Sequence, residues 1–262
     1  TLSFGLNKPL IGVNHLVGHA LTPRLTHSTQ YPYLILIASG GHCQFLIAKG
    51  PSSFIRLGGT IDDAPGEAFD KTARILELEY PGGPAVETQA LEGDPYAYKL
   101  PLPLVKQKNC DMSFSGLKTA LKREVNQIID NSGGLSEPQI KNLCASFQNA
   151  VTDIFIDKTK KAMALFKTHF PEGPHTIAIA GGVAANKSIG LALSKLAHNF
   201  NFKLVIPDPQ LCTDNAAMIA SAGAELFLNK EFCSETLIPR PRWPLDGNAS
   251  PMMSFGKKGR KA

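Results

Sequence analysis

The chain has no long apolar run, which excludes a transmembrane protein of the helical kind. Hydrophobic residues make up 43% of its 262 residues and charged residues 19%, as in ordinary globular domains. Its longest apolar stretches, YLILIA at 33–38 and HTIAIAGGVAA at 175–185, fall short of the roughly 20 residues that span a bilayer. No charged-then-apolar leader is visible and Thr1 stands first, so we expect no secretory signal and an N-terminus that has been processed or cut.

Cysteine is scarce and unpatterned. The five cysteines are odd in number, widely spaced and never in a C-x-x-C pair: Cys43, Cys110, Cys144, Cys212 and Cys233. This argues against a disulfide framework and against a thiolate zinc site, and it favours a reducing compartment. Acidic residues are fewer than basic ones, 22 against 27. The resulting net charge of +5 suits a polyanionic partner without requiring one.

The hydrophobic pattern predicts an α/β fold with a mixed sheet flanked by helices. The predicted strands are 9–13, 33–38, 43–48, 53–57, 176–180 and 203–206. The predicted helices are 65–78, which YPGGP ends, 115–130 with Ser115 as its N-cap, about 140–169, and 212–226. Residues 92–114 are proline-rich and predict an irregular surface excursion, and the basic stretch 251–262 predicts a flexible tail.

Two of the seven histidines, His15 and His19, stand four residues apart. On a helix this spacing places both imidazoles on one face, within reach of one metal ion. A zinc peptidase of the H-E-x-x-H type needs a glutamate where Leu16 stands, which disfavours that chemistry. Two such histidines are more often structural. Asp214 offers the carboxylate that would complete a metal site, although Asp214 or Thr213 could equally be the N-cap of the last helix.

Paired glycines follow two predicted strands, in SGGHCQ at 39–44 and AGGVAAN at 180–186. Each is either a tight turn or a place where the backbone approaches a ligand closely. In the second loop, the N–H groups that open the next helix could face a phosphate or a ribose. Two such loops on adjacent strands favour a nucleotide cleft.

Charged clusters mark two further segments. In DDAPGEAFDK at 62–71, helix-start chemistry explains Asp62, Asp63 and Glu67, whereas Asp70 lies too deep in the helix for that and is a functional candidate. Cations line the polar side of the 115–130 helix, where they form either a solvated face or a phosphate-binding strip on RNA: Lys118, Lys122 and Arg123.

Eight blocks occur in the order found in tRNA N6-adenosine threonylcarbamoyltransferases, a family once classed as glycoproteases. They run from Pro9 to Leu245: NHLVGHAL, ASGGHCQFL, IDDAPGEAFDKTA, YPGGP, MSFSGLKTAL, AGGVAANKSI, LCTDNAAMIA and RPRWPL. The chain therefore closely resembles this family, of the bacterial or mitochondrial type. The resemblance implies the actin-like ATPase (ribonuclease H-like) fold, with two lobes around a nucleotide cleft.

On this resemblance, residues 1–32 are the end of the N-terminal lobe with a metal-binding helix. Residues 33–246 are the C-terminal lobe with a helical insertion at about 92–170, and 247–262 are a flexible basic tail. The phosphate loop that opens the family's first lobe has no counterpart after Thr1, so the N-terminal lobe is expected to be truncated, which puts in doubt the activity of this chain by itself.

The resemblance also implies an acyltransferase. The family moves threonylcarbamoyl from its adenylate to N6 of the adenosine 3′ of the anticodon, in tRNAs reading codons that begin with A. One divalent metal, Fe²⁺ in preference to Zn²⁺, is expected on His15, His19 and Asp214. The acyl-adenylate is expected on Ile37, Ala38, Ser39, Gly40, Gly41, Asp70, Gly83, Glu87 and Asn186, with Asp70 as the candidate catalytic residue.

The implied partners are tRNA, a paralogous subunit of the same fold and a small ATPase, and a homodimer is a further expectation. The implied location is the cytoplasm, or the mitochondrial matrix in a eukaryote, without a membrane partner. Two alternatives stay open: a non-catalytic scaffold paralogue, which would be expected to lose metal ligands that this chain keeps, and a metal-dependent peptidase, which Leu16 disfavours.

Overall fold

A computed structural model describes residues 2–231, 238–241, 243–249, 252–253 and 260–261. Its main sheet has five strands: β1 Tyr33–Ala38, β2 Cys43–Ala48, β3 Phe54–Gly59, β4 His175–Ala180 and β5 Phe202–Val205. Their order is β3-β2-β1-β4-β5. The first three form an antiparallel meander, whereas β1, β4 and β5 are parallel. The predicted mixed sheet is confirmed.

Helices cover both faces of this sheet. Their bounds are α1 Leu2–Gly5, α2 His15–His27, α3 Pro65–Ile75, α4 Gly82–Ala90, α5 Ser115–Ser132, α6 Glu137–His169, α7 Lys187–Asn199, α8 Pro209–Cys212 and α9 Ala216–Leu228, with a 3₁₀ turn at Gly182–Ala185. The helices predicted at 115–130 and 140–169 are confirmed as α5 and α6. No helix in the described ranges has the length and apolarity to cross a membrane.

Strand β1 shows why the sheet is buried on both sides. Its alternate residues point to opposite faces, and all six are at most 1% exposed. Leu34 and Leu36 pack into a core shared with α3, α5, α6 and α7. Ile35 and Ile37 pack into a second core shared with α2 and α9. The sheet thus holds α2 on one face and α3 on the other, and both reach the same edge.

Three predicted elements were wrong in whole or in part, and one of them is the helix predicted at 212–226, which is two helices, α8 ending at Cys212 and α9 beginning at Ala216. Residues 9–13 form no strand: they are half-buried or exposed, and Val13 packs towards α9 at Gly223 rather than pairing with the sheet. The helix predicted at 65–78 ends at Ile75, and YPGGP opens α4 instead of only ending α3. Proline and glycine are tolerated there because the first turn of a helix needs no intrahelical N–H partners.

The capping residues also differ from those predicted. Phe114, not Ser115, precedes α5, and the carboxylate of Asp62 accepts its first amides at 2.8 Å from Phe114 and 3.3 Å from Ser115. Asp62 therefore caps α5 rather than α3. Glu67 does act at the start of α3, where it accepts the Ala64 N–H at 3.4 Å. Asp63 instead forms an ion pair with Lys71 at 2.7 Å.

Much of the predicted flexible tail lies outside the described residues. Within it, β6 Met252–Met253 pairs antiparallel with β7 Arg260–Lys261. The division at residues 32 and 246 stays a prediction. Of the five cysteines, Cys233 lies outside the described residues and the other four are free and buried.

Candidate metal centre and nucleotide cleft

His15, His19 and Asp214 meet at one point although about 195 residues separate the last from the others. Asp214 Oδ1 lies 3.3 Å from His15 Nε2 and 3.1 Å from His19 Nε2. One ligand atom from each residue falls within 4.8 Å of the others. The structure therefore brings together the three residues predicted to bind the metal.

The local sequence explains how α2 presents its histidines. Asn14 is the N-cap, and its side-chain oxygen accepts the Leu16 N–H at 2.9 Å. His15 and His19 then lie one turn apart, with ring centroids separated by 4.9 Å. Asp214 lies between α8 and α9. It is not the N-cap of α9, because Asn215 fills that position by accepting the Met218 N–H at 2.9 Å. The carboxylate of Asp214 remains available for a ligand.

Burial fixes the protonation state of His19. Its side chain is 1% exposed, whereas the side chains of His15 and Asp214 are 46% and 75% exposed. Burial, followed by the neighbouring His15, lowers the pKa of His19, and the hydrogen bond to Asp214 only partly opposes this. His19 is consequently neutral at pH 7, the form in which imidazole binds metals.

These donors fit a divalent metal ion. Nitrogen and oxygen ligands about 2.0–2.2 Å from an ion stand roughly 3.0–3.5 Å from one another, and both distances to Asp214 lie in that range. Two imidazoles with one carboxylate suit zinc and ferrous iron alike. The exposure of His15 and Asp214 leaves the open side of the site facing solvent.

Two glycines allow close backbone contacts that bring the predicted cleft loops together. Because β1 and β4 are parallel, the loops that follow them emerge at the same edge of the sheet. Gly181 has φ +97°, and a Cβ there would lie 2.5 Å from the carbonyl oxygen of Ala38, so only glycine allows this approach. At Gly66, a Cβ would lie 2.7 Å from Gly40 Cα. The start of α3 thereby packs on the Ser39–Gly41 loop.

The remaining predicted substrate residues form a connected row. Asp70 Oδ1 accepts the Gly82 N–H at 2.9 Å, at the start of α4. Gly83 and Glu87 share one face of α4, and Glu87 Oε1 accepts the Lys187 N–H at 2.8 Å. Asn186 caps α7 by accepting the Ile189 N–H at 3.0 Å. The row thus links the N-termini of α4 and α7, the ends of helices that attract negative charge.

The metal cluster and the cleft loops are neighbours. His42, in the loop after β1, is close enough to act electrostatically on His19. On the other side, α8, which leads to Asp214, packs against the 3₁₀ turn that follows Gly181. Every predicted site residue therefore lies around one edge of the sheet.

Sequence reasoning missed two residues of this region. Gln148 on α6 is 8% exposed and accepts the Asn186 side-chain N–H at 2.8 Å. Arg24 donates from Nε to both oxygens of Glu225 at 2.8 and 2.9 Å, which ties α2 to α9 behind the metal ligands. Neither stands in a recognisable motif. The only available signal was a polar residue at an otherwise apolar helix position, which is weak.

The fold defines a class of protein. The structure is similar to HypF of T. kodakarensis, with a TM-score of 0.57 at 14% identity, over 88% of this chain and 38% of that one. That likeness and the mixed sheet with helices on both faces place the chain in the actin-like ATPase fold, as expected.

Sequence comparison narrows the class to a family. The model of the tRNA N6-adenosine threonylcarbamoyltransferase family matches residues 1–221. A protein of that name from Ruegeria pomeroyi is 55% identical over 254 residues, which cover 97% of this chain and 69% of the relative. Another, from Paracoccus denitrificans, is 52% identical over 261 residues, covering 100% and 72%. The chain belongs to the tRNA N6-adenosine threonylcarbamoyltransferase family.

Proposed function

We propose that this chain transfers threonylcarbamoyl from threonylcarbamoyl-adenylate to N6 of the adenosine 3′ of the anticodon, in tRNAs reading codons that begin with A. The observation that carries the proposal is the convergence of His15, His19 and Asp214 within 4.8 Å beside two glycine loops. This combination suits an acyl-adenylate: glycine loops can approach the nucleotide, and a cation beside them can polarise the reacting carbonyl.

The reaction requires positioning more than covalent catalysis. The substrate is a mixed anhydride, so the N6 amine attacks the carbamoyl carbon directly. The new C–N bond forms as the C–O bond to phosphate breaks, AMP leaves, and the amine loses one proton. A divalent metal held by His15, His19 and Asp214 would supply polarisation of the carbamoyl oxygen. No side-chain nucleophile is needed.

The chain's own residues bind and orient the adenylate. After β1, Gly40 and Gly41 are exposed and offer backbone N–H groups without side-chain obstruction, whereas the Ser39 N–H already donates to the His42 carbonyl at 2.8 Å. Gly83 and Asn186 lie at the starts of α4 and α7, whose first amides are bonded to Asp70 and Glu87.

Glu87 uses Oε1 for the Lys187 N–H, which leaves Oε2 to accept from a ribose hydroxyl. Asp70 uses Oδ1 for the Gly82 N–H, which leaves Oδ2 to order the threonyl group or to take the amine proton.

The test is a transfer assay with threonylcarbamoyl-adenylate and unmodified tRNA, with and without chelator, together with metal analysis. We expect modified tRNA that chelator abolishes, and a His15→Ala/His19→Ala variant that loses both metal and product. His27→Ala is the matched control, because His27 is exposed at the far end of the same helix.

Two results would reject parts of this proposal. No product under any condition would overturn the activity, and an unchanged metal content in the double variant would overturn the ligand assignment. In the same assay, a full rate for Asp70→Asn with unchanged adenylate affinity would remove Asp70 from the mechanism.

The peptidase alternative gains no support from the site. Leu16, at the position of the peptidase glutamate, is 4% exposed and packs into the core. A scaffold paralogue would not need the metal ligands that the chain keeps. The paralogous subunit, the small ATPase, the homodimer and the cytoplasmic location remain proposals from the family resemblance.

A further inference from the structure

Exposed cations cluster in two neighbouring segments outside the metal site. One is the basic loop, residues 101–109, where Lys106 and Lys108 are exposed. The other is the polar side of α5, where Lys122 and Arg123 are exposed and Lys118 is half-buried. None of these five cations has an ion-pair partner within 4 Å among the residues that the structure describes.

The basic loop is held in one conformation by a buried ammonium group. Lys158 on α6 is 0% exposed, and its Nζ donates to the carbonyls of Leu104, Gln107 and Asn109 at 2.6, 3.3 and 3.0 Å. Lys161 donates to the Val105 carbonyl at 2.6 Å. Leu104 has φ +61°, a conformation that a leucine adopts only when its surroundings impose it.

The buried Lys158 ammonium and the basic loop stabilise each other. A buried ammonium group loses its hydration, which three carbonyls replace, and the nearest carboxylate, of Asp157, is 3.9 Å away. The result is a preorganised loop that displays Lys106 and Lys108. Preorganised cations lose less conformational entropy when they meet an anion.

The cations on α5 also have no acidic residue paired with them among the described residues. Lys118 and Lys122 are one turn apart, a like-charge spacing that weakens a helix. Glu124 lies towards Tyr98, on whose pKa it acts. The helix N-terminus itself is not the attraction for anions, because the carboxylate of Asp62 already occupies it.

A series of contacts links both segments to the loop after β1. Pro103 in the basic loop contacts α5 at Gly116: a Cβ added to this glycine would lie 3.7 Å from Pro103 Cγ. The start of α5 is bonded to Asp62, shortly before α3, and α3 packs on the Ser39–Gly41 loop through Gly66. A polyanion lying on these cations would therefore contact elements that are linked through α3 to the loop after β1.

We infer that the basic loop and the cations of α5 form a surface that binds the sugar–phosphate backbone of tRNA. That the polyanion is tRNA rests on the proposed function. The new step is the surface that contacts it. The backbone is contacted through charge and not through base edges, so the surface holds and orients tRNA without reading its sequence.

The test compares three variants that each lose two positive charges. The loop variant is Lys106→Gln/Lys108→Gln and the helix variant is Lys122→Gln/Arg123→Gln. The control is Lys49→Gln/Lys195→Gln, two exposed lysines, one in the turn after β2 and one on α7. For each, the dissociation constant for unmodified tRNA is measured at several salt concentrations, and the KM for tRNA and for threonylcarbamoyl-adenylate is measured in the transfer assay.

We expect the loop and helix variants each to weaken tRNA binding about tenfold at moderate salt. Each lost phosphate contact should also reduce the slope of log affinity against log salt by about 0.7–0.9. The KM for tRNA should rise while kcat and the KM for the adenylate stay unchanged. The control should match the wild type.

If all three variants bind tRNA with the same affinity and the same salt dependence, the proposed surface is wrong. It is also wrong if the wild-type chain does not bind tRNA. Loss of binding to a protein partner with tRNA affinity retained would reassign the surface to that partner and so overturn it as well. Because binding is measured separately from transfer, a chain that binds tRNA through these cations but makes no product would contradict only the proposed function.

Discussion

The carboxylate of Asp62 is the most heavily bonded acidic side chain near the site. Besides the two amides of α5, it accepts the hydroxyls of Ser113 at 2.5 Å and Ser115 at 2.7 Å. Burial acts to raise the pKa of Asp62, but these hydroxyls and amides outweigh it and lower the pKa below its ordinary value. The charged form is therefore what the fold stabilises.

Replacing Asp62 should destabilise the fold in a way that depends on pH. Asp62→Asn retains one acceptor oxygen and loses the other, so we expect the free energy of unfolding at pH 7 to fall by about 1–3 kcal/mol. A lowered folded pKa gives stability that is present above about pH 4, the unfolded pKa, and is lost as the pH falls through the folded pKa. Denaturant unfolding of both proteins from pH 7 to pH 3 measures this.

The difference between wild type and Asp62→Asn should shrink towards pH 3, and a difference that is constant with pH would contradict the charged cap. Asp111→Asn is a suitable control, because Asp111 is also half-buried in this region but accepts fewer hydrogen bonds, from the Gly59 N–H at 3.3 Å and the Asn109 side chain at 2.8 Å. Asp111→Asn should lower the free energy of unfolding by less than Asp62→Asn does.

Single residues show what the sequence could and could not predict. His15, His19 and Asp214 were recognisable from their side-chain chemistry and the family blocks, and the structure brings them together. The roles of Asp62 and Gln148 were not recognisable, because each acts on a helix more than 30 residues away in the chain. Local spacing carries no information about such partners.

At the scale of elements, α2 and α9 must keep a fixed relation for the metal ligands to meet. The guanidinium of Arg24 bonds Glu225, lies 4.1 Å from the centre of the Tyr31 ring, and donates to the Thr29 carbonyl. Tyr31 also donates to Glu225 at 3.0 Å. This cluster ties the C-terminal part of α2 to α9.

A double-mutant cycle with Arg24→Met and Glu225→Gln should therefore give a coupling energy of about 1–2 kcal/mol, between the values for exposed and buried ion pairs. Each single variant should also weaken metal binding several-fold, measured by titration of the metal-free protein. The Glu137–Lys141 pair on α6 is the control, since Glu137 is 76% exposed. Solvent screens such a pair, so its coupling should be much smaller than that of Arg24 and Glu225, with no effect on metal binding. Equal metal affinities throughout would show that the cluster serves stability alone.

The elements themselves were largely predictable, and the failures have a common cause. Strands β1 and β2 match their predicted bounds because they are continuous apolar runs between turn residues. Helix α4 was missed because its first residues, Gly82 to Pro84, also signal a break. What allows the helix is Asp70 on α3, which accepts the Gly82 N–H, a tertiary partner that no local pattern shows.

At the scale of the whole molecule, the metal site exists only in the folded chain. Its ligands come from α2 and from the segment after α8, about 195 residues apart, so an unfolded chain cannot offer all three together. A metal that binds only the native state stabilises it by mass action. The same ligand set thus couples the proposed catalytic centre to global stability.

Adding Zn²⁺ to the metal-free protein should accordingly raise its melting temperature. At free zinc one hundred times the dissociation constant, the stabilisation is about 2.7 kcal/mol, which corresponds to roughly 5–10 °C for a protein of this size. Calorimetry at a series of zinc concentrations measures the shift. It should vanish in His15→Ala/His19→Ala and persist in His27→Ala, because only the first variant removes the buried imidazole that Asp214 contacts. A shift of equal size in the double variant would mean that zinc binds elsewhere on the chain, and the three residues would then be joined by hydrogen bonds alone.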